Sequence, residues 1–192
     1  MRRRKTRGRN RLAATLAVAL FAVMFAAAAT LTGCGSLGGT VPRCGDPLKL
    51  AIIAQSVSGA SYVPCISELP DGWSTSGFDP ASGGTSFTLD SDRSPGRPVT
   101  VRLSARCATG GATPSLPRAP GVLSYTRLTS ISPRFAGTLY DVFPGGCVSY
   151  QFDFTLGEHI ALMEQFQSAV GLYPVQELRL VVKQKLGVEI SP

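Results

Sequence analysis

Apolar and polar residues alternate most regularly over Cys147–Phe154, where Val148, Tyr150, Phe152 and Phe154 share one side of an extended chain and Ser149, Gln151 and Asp153 the other. A period of two is the signature of a strand whose sheet is buried on one face. Weaker versions of the pattern occur at Ser86–Leu89, Val99–Ala105, Val122–Ser130 and Phe135–Phe143, and they predict a sheet of about five strands. Between the first two, Asp90–Pro98 is rich in Asp, Ser, Pro and Gly, so that pair reads as a hairpin.

Elsewhere the spacing is helical. Asp46-Pro47 ahead of Leu48, Leu50, Ile52 and Ile53 predicts a helix over 46–57, Asp accepting amide hydrogen bonds and Pro pre-set for the first turn. Near the other end, Leu162, Met163, Phe166, Ala169 and Val170 fall on one face of a helix over 158–170. Val175, Leu178, Val182 and Leu186 do the same over 174–186, with Gly187 as a stop signal. Residues 58–84 and 108–121, studded with Gly, Pro and Ser, read as loops, the first with a short strand near Trp73. The expected fold class is therefore α+β: an antiparallel sheet with one N-terminal helix and two C-terminal helices on its apolar face.

Before all this comes a segment of another kind. Residues 12–31 carry no charge and are long enough to cross a hydrocarbon core, and the basic run Arg2, Arg3, Arg4, Lys5, Arg7, Arg9 and Arg11 precedes them. Leu31-Thr32-Gly33-Cys34 follows and resembles the lipobox of bacterial lipoprotein precursors. The resemblance covers only the export segment. It implies cleavage between Gly33 and Cys34, a lipid on the Cys34 thiol, and a domain held at the extracytoplasmic face of the cell membrane. The resulting organisation is an export signal over 1–33, a lipidated, flexible tether over 34–43 and one α+β domain over 44–192. An uncleaved, single-pass anchor with a cytoplasmic N-terminus is the alternative.

Charge changes the picture once it is localised. The net charge of +7 suggests an acidic partner, yet seven of the 19 basic residues lie in the first eleven positions, leaving twelve basic against twelve acidic residues in the remainder. A nucleic-acid footprint needs an excess of basic residues on the folded domain, and this domain has none to supply. With Cys34 assigned to the lipid, Cys44, Cys65, Cys107 and Cys147 remain, an even number in an exported chain, which favours two disulfides. In an up-and-down order of strands 99–105, 122–130, 135–143 and 147–154, Cys107 and Cys147 meet at one edge, leaving Cys44 to pair with Cys65 across the first helix. No pair has the close spacing of a zinc or thioredoxin-like site, and no cofactor or metal is expected.

Candidates for chemistry are few. His159 is the one histidine, so a hydrolytic triad would have to use it, but no G-x-S-x-G elbow exists and Ser56–Ser61 lacks the flanking glycines. A solvated residue at a helix start explains it better. Asp90, Asp92 and Ser94 resemble the opening of a calcium loop, but Pro95 and Val101 occupy the positions that need Gly and Glu. Asp141 and Asp153, on neighbouring strands, are a candidate acid–base pair for a glycoside; as solvent-face residues they need no such role. Trp73, Phe78, Tyr125 and Tyr140 are candidates for an aromatic surface facing a glycan or an envelope protein, although such residues are more often core. Gly83-Gly84, Gly110-Gly111 and Gly145-Gly146 lack phosphate-loop spacing. The expectation is a membrane-anchored binding or accessory module of the bacterial envelope, with an exported hydrolase of envelope substrates, or a single-span membrane protein tethering an enzyme partner, as the alternatives.

Overall fold

A computed structural model of the chain describes residues 40–155, 157–187 and 189. Leu31, Thr32, Gly33 and Cys34, the apolar run before them and the tether as far as 39 lie outside the described residues. The described residues form an α+β fold with nine strands instead of five. In chain order these are α1 (Pro47–Ser56), β1 (Tyr62–Ile66), β2 (Trp73–Ala81), β3 (Gly84–Ser91), β4 (Ser94–Ser104), β5 (Thr113–Ser115), β6 (Leu123–Ser130), β7 (Arg134–Phe143), β8 (Gly146–Thr155), α2 (His159–Ala169), β9 (Val170–Pro174) and α3 (Val175–Leu186). Among them, no helix is long and apolar enough to cross a membrane.

Seven strands make one antiparallel sheet in the order β2-β3-β4-β8-β7-β6-β5, and β1 with β9 makes a separate antiparallel pair. The up-and-down order expected for the later strands is thereby corrected. β8 inserts directly beside β4, with Val99 opposite Phe152, Val101 opposite Tyr150 and Leu103 opposite Val148. Alternation says which face of a strand is buried and nothing about which strand lies next to it. The two cysteine pairs are bridged in this arrangement. Cys107 follows β4 and joins Cys147 on β8, a separation of 40 residues, because Ser104 already stands opposite Cys147. Cys44 joins Cys65 of β1, tying the entry of α1 to the small sheet.

Residues 58–84 hold more strand than the one short strand expected near Trp73, for identifiable reasons. β1 is buried along nearly its whole length, so Val63, Pro64, Cys65 and Ile66 show no alternation to read. β2 is an edge strand with a register shift between Ser76 and Asp79, and Pro80 within it. The hairpin between β3 and β4 turns through Asp92-Arg93, much tighter than the nine-residue turn expected. β5, in the second expected loop, is only three residues long.

The core lies on one face of the large sheet. Val99, Val101, Leu103, Val148, Tyr150, Phe152 and Phe154 point into it and are at most 1 % exposed. Leu162 and Phe166 of α2 cover the middle of that face, with the Phe166 ring 6.0 Å from Phe154 and 6.4 Å from Phe152. Leu50 and Ile53 of α1 and Leu178 and Val182 of α3 complete the cluster. Burying one such side chain contributes about 1.5–3 kcal/mol, which is why apolar spacing decides where the helices dock. Asp46 caps α1 through the Lys49 amide, with Pro47 at its first position, and Gly187 closes α3 in the left-handed conformation at φ 66°. At Gly145 (φ 76°) a Cβ would stand 1.8 Å from the Gly59 carbonyl oxygen, so the turn between β7 and β8 can lie against the α1–β1 connection only without a side chain.

Candidate functional site

α2 covers β8 but leaves the far strands of the same face open. The uncovered part, over β5, β6 and β7, forms a half-open cleft of about 420 Å³. Its volume is in the range of about 300–1,000 Å³ common for small-molecule sites. Leu116, Leu128, Phe135, Leu139 and Met163 supply apolar walls, and Gln167 of α2 borders it. Arg118, Ser124 and Asp141 form the polar floor.

The floor is built by two loops of logic that converge on one carboxylate. Asp141 occupies the same phase of β7 as Leu139 and Phe143, which turns it toward the core, and its side chain is 1 % exposed. Its strand partner Ser124 donates to Oδ1 at 2.6 Å, and Arg118 Nη1 donates to Oδ2 at 3.2 Å. Arg118 reaches this point from the 116–122 connection. Its Nη2 donates to the carbonyls of Gln167 and Val170, at 2.7 and 2.6 Å, at the C-terminal end of α2. Those carbonyls have no intrahelical donor and carry the negative end of the helix dipole, so a guanidinium suits them. The guanidinium carbon also stands 4.8 Å from the centre of the Tyr150 ring.

Tyr150 lies beneath this pair, wholly buried. Burial pushes its phenol well above the ordinary tyrosine value; the Arg118 charge opposes that rise and the Asp141 carboxylate adds to it. Its hydroxyl is close enough to feel both charges but has no partner in hydrogen-bonding geometry. A neutral Tyr150 phenol, a neutralised Arg118–Asp141 ion pair and a Ser124 hydroxyl committed to Asp141 give a floor suited to binding an uncharged group. They offer no pairing of a nucleophile with a base.

Most residues singled out from sequence do not come together here. Asp141 is at the floor, which corrects its expected place on the solvent face. Asp153 lies across the sheet on the other face, opposite Ala136, and pairs with Arg134 at 2.5 Å, so these two carboxylates cannot flank one bond. His159 opens α2 as expected and is only partly exposed: its ring packs 4.7 Å from that of Phe135, and Nδ1 is buried without a partner. Asp90 accepts from Ser76 at 2.5 Å, and Asp92 sits in the hairpin turn beside Arg93. No cluster of three metal-ligating side chains occurs among the described residues. Trp73 is core, its indole nitrogen donating to Gln165 at 2.9 Å, and Phe78 packs at the core margin. Tyr125 and Tyr140 are strand partners and both border the cleft, with the Arg127 guanidinium 5.4 Å from the Tyr140 ring centre. Ser56 bonds to Thr85 and Ile53, well outside the cleft.

Sequence reasoning missed Arg118, Ser124 and the cleft itself. One signal was present in Leu139-Tyr140-Asp141-Val142-Phe143, where a charged residue stands in the phase of two apolar ones. No protein-family model matches the chain, and comparison with curated proteins and with solved structures finds no match.

Proposed function

We propose that this chain is an exported lipoprotein of the bacterial cell envelope, held at the extracytoplasmic face by a lipid on Cys34, and that its domain is a binding module whose site is the cleft beside α2. The observation that carries the binding half is the cleft, an apolar hollow left open by its own helix above a buried and internally neutralised Arg118–Asp141 pair. The tether rests on Leu31-Thr32-Gly33-Cys34, on the uncharged run before it and on the basic residues before that. Four further cysteines bridged as two disulfides suit an oxidising compartment.

Membranes expressing the full chain test the tether. The mass of the purified protein should begin at Cys34 and include acyl chains, and Cys34→Ser should leave an unlipidated chain that retains residues 1–33. A wild-type chain that itself retains residues 1–33 without lipid would make it a single-pass membrane protein instead.

A further inference from the structure

The mouth of the cleft is apolar well beyond what its walls require. Eight large hydrophobic side chains are exposed among the described residues, and two of them line the cleft. Leu116 is 88 % and Leu128 47 % exposed there. Large exposed apolar side chains at the mouth of a cleft mark a binding surface.

The chemistry of the floor narrows the occupant. Arg118 is held by Asp141 and by two helix carbonyls, and Asp141 by Arg118 and Ser124, so a charged ligand meets no uncompensated opposite charge. An extended peptide would bring backbone donors and acceptors into a hollow whose walls are mostly aliphatic and aromatic, where unmatched polar groups are costly. A hydrocarbon chain brings no polar group of its own to leave unpaired. Cys34 stands seven residues before Val41, where the buried part of the domain begins, so a lipid on Cys34 keeps the domain within about 25 Å of hydrocarbon.

We infer that the cleft receives an acyl chain of a bilayer lipid, with Leu116 and Leu128 forming the entry. This rests on the reading of the chain as membrane-tethered. The Arg118–Asp141 pair then serves as a neutral floor that sets how deep the chain enters.

The test places a photoreactive side chain at the mouth. Full-length chain carrying Leu128→p-benzoylphenylalanine is irradiated in its own membranes, and intact masses are read before and after. The expected result is an added mass of one phospholipid. Adding Leu116→Glu, at a position too exposed to affect folding, should cut that yield by about tenfold, because an ionised carboxylate at the entry opposes burial of hydrocarbon. The same probe at Leu180, exposed on α3, should give a yield lower by about tenfold than at Leu128. An adduct with a polypeptide, no adduct, or equal yields at Leu128 and Leu180 overturns the inference. The unreacted chain in the same spectrum reports lipidation of Cys34. A lipidated chain without adduct defeats the inference alone, and an unlipidated chain with adduct defeats only the tether.

Discussion

At the scale of single residues, Tyr150 shows how a buried group ties stability to pH. Burial raises its phenol well above the ordinary value, so the folded state holds the proton more tightly than the unfolded state, where the group titrates near pH ~10. The sign follows directly. The contribution is fully present below about pH 10 and is lost as pH rises from there toward the higher folded value. Urea unfolding midpoints measured from about pH 8 to about pH 11 should fall along the alkaline limb, and Tyr150→Phe should flatten that limb. Because the hydroxyl has no hydrogen-bond partner, the same substitution should change stability near neutral pH by no more than about 1 kcal/mol.

Between elements, Arg118 is the fastening. A residue in a connection that reads as loop holds the last carbonyls of α2 with one nitrogen and a carboxylate of β7 with the other. Arg118→Met leaves Asp141 buried with only Ser124 for company and frees the helix end, and should cost about 3–5 kcal/mol in denaturant unfolding. Adding Asp141→Leu should recover much of that loss, since removing both charges avoids the unpaired one. What the sequence revealed and what it concealed divide along the same line. β8 was legible because one of its faces is buried and the other wet, and α1 because Asp46 and Pro47 announce it. β1 and β9 were not, since they are short and their burial does not alternate. Strand order was out of reach because Val101 and Tyr150 become partners through long-range pairing, to which local spacing is blind. The cleft was hidden for a similar reason: it is defined by where α2 stops covering the sheet, and no residue encodes that alone.

For the molecule as a whole, the sheet is drawn together by elements far apart in sequence, and the Cys107–Cys147 bridge closes one of those long excursions, 40 residues in separation. Replacing both cysteines by serine should lower stability by about 2–5 kcal/mol, measured as a drop in the urea midpoint with the β4–β8 ladder otherwise intact. Among the described residues, the large sheet also has two ends that no strand covers, β2 and β5. Each is interrupted: β2 by its register shift and Pro80, β5 by Pro114 in the middle of three residues. A free strand edge is a template on which a second copy can grow a continuous sheet, and a proline removes a donor from that template. If the proposed lipid on Cys34 confines many copies to one plane, they would collide edge to edge far more often than in dilution. With both borders broken in this way, such collisions find no continuous row of donors to zip, and the molecule can be densely displayed without polymerising through its own sheet.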